Sequence, residues 1–202
     1  MNDAAAAHAR SQRLKAATRA AHEALDARIM AAGLFDSRAR YAKFLRVQYR
    51  FHRDVDALYA HPGLAALLPD LDERRRLQDI AEDLRDLGEP APPPVPARVD
   101  AATAPACALG WLYVAEGSRL GGAVLYRLAG ERLGLGRDFG ARHLAAHPQG
   151  AARHWRAFVA ALDAAALSPA QERQAIEAAQ DAFAAVRGYV EDEFRGARAE
   201  GP

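Results

Sequence analysis

Residues that favour helices fill this sequence from end to end, and they constrain its fold more than any other feature. Ala, Leu, Arg and Glu dominate, whereas β-branched residues are sparse and never alternate with polar residues at a period of two. The sequence therefore predicts an all-α protein. Its 202 residues, half of them hydrophobic, suit a single domain over 1–202 with room for one core and one buried ligand.

Apolar periodicity and capping residues set the expected helices. Gly33 is positioned to stop the first helix, and Ser37 to cap the second. Ser168 with Gln171 forms the pattern of a capping box before the last helix. We expect helices at about 11–32, 37–61, 72–87, 101–116 and 169–195, with a further helical, apolar stretch at 111–133.

A proline-rich segment interrupts the helical pattern without dividing the chain. Five prolines fall between 89 and 96, and they predict an extended surface connector over 89–100. Neither flank is long enough to fold comfortably alone, so one domain is expected. We expect the terminal segments 1–10 and 197–202 to be flexible.

Charge and cysteine content narrow the class of protein. The net charge is +1, so no overall field favours nucleic acid or an anionic membrane, and no apolar run approaches the ~20 residues that span a bilayer. Cys107 is alone, which excludes an internal disulfide and fits a reducing compartment. We expect a cytoplasmic protein. Its cations are 25 Arg and only two Lys, Lys15 and Lys43.

Three glycines fall inside the fourth apolar stretch. Gly117, Gly121 and Gly122 lie within 111–133, whose two flanks both have helical patterns. Each glycine in a helix interior costs roughly 0.8–1 kcal/mol relative to Ala, so a straight helix is not expected. The glycines can serve close packing against another helix, or they can let a bent backbone press against a flat ligand. Spacing alone leaves both interpretations open.

His22 differs from the other histidines by its neighbours. It lies at the border of the apolar stripe of the first helix, and Asp26 follows one turn later, within reach of the imidazole. A carboxylate at Nδ1 leaves Nε2 as a neutral metal ligand. A border histidine with ordinary hydrogen bonds is the common alternative. Lys15, two turns earlier on the same face, suits a ligand with both a metal and anionic groups, and heme is such a ligand.

Two separated motifs resemble those of bacterial heme oxygenases of the iron-acquisition type. The segment 14–22, LKAATRAAH, is similar to the proximal-helix motif of that family, and 110–122, GWLYVAEGSRLGG, is similar to its distal helix. Further similarity covers 41–59, 139–144, 155–162 and 181–183, which is nearly the whole chain. The resemblance implies a helical bundle with heme between the proximal helix and a distal helix that is kinked at glycines.

The resemblance also assigns roles to residues. It implies that His22 binds the heme iron and that the distal segment around Gly117, Gly121 and Gly122 touches the heme face. Ser118 stands where many members have an Asp that organises water, so we expect Ser118 and backbone carbonyls to hold those waters. The residues expected to contact or orient heme are Lys15, Asp26, Tyr113 and Phe183.

The implied reaction uses heme b as both cofactor and substrate. Its products are biliverdin, CO and ferrous iron, and it consumes O2. The sequence has no flavin or nicotinamide fingerprint, so a ferredoxin, flavodoxin or NAD(P)H reductase must supply the electrons. In members that cleave at the α position, a Lys and a Tyr at the positions of Lys15 and Tyr113 are associated with propionate anchoring. We therefore expect mainly biliverdin IXα, although a solvated Lys and a core Tyr would look the same in sequence.

Other functions are compatible with parts of the pattern. Ser118 in place of Asp favours a heme carrier or sensor that does not turn heme over. Cys107 raises the alternative of a thiamin-degrading hydrolase of a related helical fold, but it has no obvious acid–base partner. A helical interaction protein would use its glycines for packing alone. If His22 is not the ligand, His52 or His154 is the next candidate.

Overall fold

The computed structural model describes residues 9–145 and 150–195, and they form a bundle of α-helices with no strand beyond isolated bridges at Gly136. The all-α prediction is confirmed. The helices are α1 (Arg10–Ala31), α2 (Arg38–Val55), α3 (Pro62–Ala65), α4 (Leu77–Asp86), α5 (Pro105–Ser118), α6 (Gly122–Leu133), α7 (Ala151–Ala164) and α8 (Pro169–Glu193), with short 3-10 turns at Asp56–Ala60, Asp72–Arg74 and Arg142–Leu144.

The last helix is the centre of the bundle. α8 packs against α1, α2 and α5, and it begins with the capping box predicted at Ser168 and Gln171. α5 can lie directly on α8 because Gly110 has no side chain. A Cβ at Gly110 would lie 2.3 Å from the carbonyl oxygen of Ala175, far inside van der Waals contact. Through α8, α1 and α5 are held beside each other.

Arg10 corrects the expectation that all of 1–10 is flexible. It begins α1, its side chain is buried, and its guanidinium donates to the carboxylate of Glu172 at 2.7 Å. The same group donates to the carbonyls of Leu162 and Ala165, at 2.7 Å for the latter. A buried guanidinium with all these partners anchors the start of α1. The rest of that prediction falls mostly on residues 1–8 and 197–202, which lie outside the described part of the chain.

Several helix boundaries differ from the sequence prediction for local reasons. The second helix tightens to 3-10 geometry after Val55 and ends at His61. The third region begins with an isolated 3-10 turn, and the α-helix starts only at Leu77. α5 starts at Pro105, where a proline at the first helical position needs no N–H partner, rather than at 101. The expected connector over 89–100 is present as an irregular, mostly exposed segment.

The glycine segment separates two helices, as predicted. α5 ends at Ser118 and α6 begins at Gly122, with a turn over 119–121. None of the three glycines has a positive φ, so the bend itself does not require glycine. The missing side chains matter only for the space that they leave.

Candidate functional site

α1 and the α5–α6 pair approach each other at two points, with a cleft between them. At one point the Tyr113 side chain of α5 lies beside the Thr18 side chain of α1. At the other, Met30 near the end of α1 and Leu128 of α6 line one small cavity of about 140 Å³. Thr18 and Met30 are about 18 Å apart along the α1 axis at 1.5 Å per residue. The cleft is therefore long enough for a large flat ligand.

Apolar side chains on both walls of this cleft are exposed to solvent. Met30 is 62% exposed, Leu120 46% and Val124 54%, and all are large hydrophobic residues. Val124 lies one helical turn before Leu128 on α6, on the stripe that meets Met30 of α1, and Leu120 lies in the turn that leads into α6. A soluble domain leaves such residues exposed mainly where a ligand or partner covers them.

His22 lies on the α1 wall of the cleft, between its two ends. Its Nδ1 is 3.1 Å from the Asp26 carboxylate, the contact that the sequence predicts, and its side chain is 58% exposed. The ring edge packs on Phe183 of α8 at 5.9 Å between centroids. Asp26 fixes one nitrogen and Phe183 supports the ring, so Nε2 is the nitrogen available to a ligand.

Lys15 and Tyr113 lie at the Thr18 end of the cleft. Lys15 is exposed on α1 one turn before Thr18, and Tyr113 is half-buried against Trp155 with 5.7 Å between ring centroids. Burial raises the pKa of the Tyr113 phenol above its ordinary value, so it stays a protonated donor at neutral pH. An ammonium and a phenol near one end of the cleft can bind anionic groups of a ligand.

The glycines of the opposite wall are not explained by packing within the protein. A Cβ on Gly117 would lie 3.5 Å from Trp155, one on Gly121 3.8 Å from the Ser118 carbonyl oxygen, and one on Gly122 3.7 Å from the Leu144 carbonyl oxygen. These are ordinary contact distances, unlike the overlap at Gly110. Among the described residues, nothing forces glycine at these three positions, which favours a ligand as the reason for them.

Ser118 is less available to water than the sequence suggested. Its hydroxyl donates to the Ala115 carbonyl at 2.8 Å, inside its own helix. The oxygen can still accept a hydrogen bond, but its proton is already used. Any solvent held on this wall must therefore find its hydrogen-bond donors elsewhere.

Three other histidines do not compete with His22 for the cleft. Burial, together with the charges of the nearby His143, Arg76 and Arg119, lowers the pKa of His52 to about 3, so its ring is neutral and enclosed by the core. His154 is buried with Nε2 3.5 Å from the Asp70 carboxylate. His61 uses both nitrogens, since Nδ1 accepts from the Gly63 amide and Nε2 contacts the Thr103 carbonyl.

A second set of polar residues lies behind the distal wall, and sequence reasoning missed it. Tyr41 Oη, His52 Nδ1 and His143 Nε2 are buried and have no hydrogen-bond partner among the described residues. Buried polar atoms of this kind are sites for ordered water. Asp83, fully buried and 2.6 Å from His143, belongs to the same region. The sequence does contain one signal of this cluster, because Asp83 is a charged residue between Ile80 and Leu84 on the apolar face of α4.

Comparison with known proteins identifies the family. The family model described as "Heme oxygenase" matches residues 8–192 of this chain. The chain belongs to the heme oxygenase family. It is a heme-degrading oxygenase.

Relatives of known name support this assignment over most of the chain. Heme oxygenase PigA of Pseudomonas aeruginosa is 42% identical over 174 residues, which cover 86% of this chain and 87% of the relative. The NO- and CO-bound heme oxygenase of Neisseria meningitidis superposes with a TM-score of 0.87 at 40% identity, covering 97% of this chain and 98% of that one. Heme oxygenase-1 of Synechocystis, solved in complex with heme, shares the fold with a TM-score of 0.71 at 18% identity, over 95% and 96% of the two chains.

Two alternatives from the sequence are not supported. Cys107 lies away from the cleft between α1 and the α5–α6 pair. It is beside a cavity of about 530 Å³ that reaches Asp181, on the face of α8 opposite Phe183. Burial, with the charges of Glu177 and Asp181, raises the pKa of the Cys107 thiol, which opposes a nucleophilic thiolate. Membership of the heme oxygenase family also opposes the alternative of a helical interaction protein. Within the described residues, no helix is long and apolar enough to cross a membrane.

Proposed function

We propose that this heme oxygenase binds heme b in the cleft with His22 as the axial ligand of the iron and degrades it to biliverdin, CO and ferrous iron. The observation that carries the proposal is the placement of His22, paired with Asp26, in a cleft whose exposed side chains include Met30, Leu120 and Val124. A flat, apolar ring with anionic edges and a metal at its centre matches each of these features. Heme, when bound, supplies an iron that binds O2 and a porphyrin that is itself oxidised at a meso carbon.

The residues of the chain orient and protect this chemistry. Asp26 contacts Nδ1 and so orients the His22 imidazole with Nε2 available to the iron, and Phe183 limits ring rotation. The backbone of 117–122 closes the opposite face where a side chain would take up space. O2 enters as co-substrate, and electrons come from a ferredoxin, flavodoxin or NAD(P)H reductase, because the sequence lacks a dinucleotide fingerprint of its own.

We further infer that Lys15 and Tyr113 set which meso carbon is attacked. Both lie at the Thr18 end of the cleft, where a cation and a phenol can hold the two propionates and so fix the in-plane rotation of the ring. The product would then be mainly biliverdin IXα.

Chromatography of the biliverdin released by the purified protein tests this proposal. The wild type should release mainly the α isomer, and the double variant Lys15→Ala with Tyr113→Phe should release a changed isomer ratio. Lys43→Ala is the matched control, because it removes the only other lysine, which lies on α2. A dominant β or δ isomer from the wild type, or an unchanged ratio in the double variant, would show that other residues fix the rotation.

A further inference from the structure

Glu116 is a buried carboxylate at the end of α5, directly before the glycine break. It is only 2% exposed, a position that is costly for a charge without partners. Both of its oxygens are bonded. Oε1 accepts from the Tyr59 hydroxyl at 3.1 Å, and Oε2 accepts from the Arg74 guanidinium at 2.7 Å. Burial and the charge of Glu116 raise the pKa of Tyr59 well above its ordinary value, so this phenol remains a donor.

Arg74 connects Glu116 to the rest of the scaffold. Its side chain is fully buried, and it makes a bidentate contact with Asp70 at 3.1 and 2.9 Å. It also donates to the His154 carbonyl of α7 at 3.3 Å. The donors of a guanidinium are fixed in one plane, so these contacts hold the group in a single orientation. The Glu116 carboxylate is thereby tied to α7 and to the segment before α4.

Arg119 brings the turn between α5 and α6 into the same cluster. It is the first residue after α5, its side chain is 16% exposed, and its Nη1 lies 3.4 Å from Glu116 Oε2. A single carboxylate therefore belongs to the last turn of α5 and also contacts the turn that follows. By contrast, the ion pair described within α6 itself, between Arg127 and Glu131, lies on the surface.

We propose that Glu116 is a positioning residue that fixes the angle between α5 and α6, and with it the placement of the 117–122 backbone over the heme. This inference rests on the proposed function, because it gives that backbone a task on the ligand. An exposed ion pair is too weak and too solvated to hold a bend. A buried pair is different, since loss of one partner leaves the other charged and enclosed. Arg74 and Tyr59 act through Glu116 and do not reach the cleft themselves.

Glu116→Gln tests the proposal because it keeps the size of the side chain and removes its charge. Hydrogen exchange of the heme-free protein should show amides of 117–122 exchanging at least about tenfold faster, since a charge-assisted bond is replaced by a neutral one. Amides of α8 should exchange at the wild-type rate. Glu131→Gln is the matched control on α6, where loss of the surface pair should leave exchange in 117–122 and hemin turnover unchanged.

The hemin-loaded protein gives a second readout. In Glu116→Gln, the midpoint of the pH-dependent change in the ferric absorption spectrum should shift and kcat should fall more than hemin affinity, because the wall moves but His22 does not. Tyr59→Phe removes one hydrogen bond to the same carboxylate, so amides of 117–122 should again exchange faster, by a smaller factor. This variant tests the proposal if Glu116→Gln does not fold.

Two results would overturn the proposal. One is that the amides of 117–122 exchange at the wild-type rate in a folded Glu116→Gln or in Tyr59→Phe. The other is that exchange becomes faster by the same factor in all helices. A failure of the wild type to degrade hemin would instead refute the proposed function, and the exchange experiment on heme-free protein distinguishes the two.

Discussion

His22 combines exposure with a fixed orientation. Its imidazole is more than half exposed, yet Asp26 and Phe183 hold it from two sides. The buried histidines show the opposite combination. His52 is enclosed and its pKa is lowered to about 3, so it remains neutral but unavailable. This preorganisation at the cleft wall is what the proposed role of His22 as the iron ligand requires.

The variant His22→Ala should lose the native axial ligand and keep the helical fold, because an exposed side chain contributes little to packing. Resonance Raman spectroscopy of the ferrous heme complex should show an iron–histidine stretch in the wild type that the variant lacks. His61→Ala is the control, since His61 binds Gly63 and Thr103 away from the cleft, and it should retain the stretch. An unchanged stretch in His22→Ala would mean that another histidine is the ligand.

At the scale of elements, the sequence predicted the existence of most helices better than their ends. Sequence predicted three features correctly: the break at 117–122, the capping box at Ser168 and the connector over 89–100. It could do so because glycine, cap residues and proline act locally. The 3-10 turn at Asp56–Ala60 was not, because tertiary contacts rather than local patterns tighten the end of that helix.

The site was predictable to a similar degree. The motif resemblance pointed to His22 and the distal glycines, and helical spacing predicted the contact between His22 and Asp26 that the structure has. The use of the Ser118 proton by Ala115 and the cluster around Glu116 were not predictable. They depend on residues distant in sequence or on a rotamer, and no local pattern reports either.

The distal segment should tolerate a larger side chain in the heme-free protein but not during turnover. A Cβ on Gly121 has room, with its nearest contact at 3.8 Å, so Gly121→Val should unfold at nearly the wild-type denaturant concentration. It should bind hemin and degrade it more slowly, because the added methyl groups crowd the distal wall. Gly188→Val on α8 is the control for helix propensity, as nothing lies within 4 Å of its Cβ. Degradation at the wild-type rate by Gly121→Val would show that the segment does not line the pocket.

At the scale of the whole molecule, α8 sets the width of the cleft. It carries α1 on one face and α5 on an adjacent face, and the overlap avoided at Gly110 fixes how closely α5 approaches. Arg10 secures the start of α1 against both α7 and α8 through Leu162, Ala165 and Glu172. The proximal wall therefore depends on an ion pair well away from the ligand.

Arg10→Ala should lower the free energy of unfolding by about 2–3 kcal/mol at neutral pH, because it leaves buried carbonyls and a carboxylate without their charged donor. Burial raises the pKa of Glu172, but the hydrogen bonds and charges of Arg10 and Arg13 lower it by more, so the folded pKa lies below the ordinary value. Such a carboxylate stabilises the fold above its unfolded pKa, and this contribution is lost as the pH falls through the folded pKa.

Urea unfolding of the heme-free protein measures this difference. The gap between wild type and Arg10→Ala should shrink as the pH falls below about 4. Arg173→Ala removes an exposed arginine next to Glu172 in sequence and should change stability by less than about 0.5 kcal/mol. A gap that stays constant with pH would contradict the role given to Glu172.

The absorption spectrum of the purified chain mixed with one equivalent of hemin, followed after a reductant is added in air, tests the central claim most directly. Binding in the cleft predicts a Soret band of a histidine-ligated heme. Turnover predicts that this band then disappears while biliverdin and CO are released. A Soret band that persists under reductant and O2 would contradict turnover and indicate a heme carrier. If stoichiometric hemin gives no Soret band of a bound heme, the cleft is not a heme site.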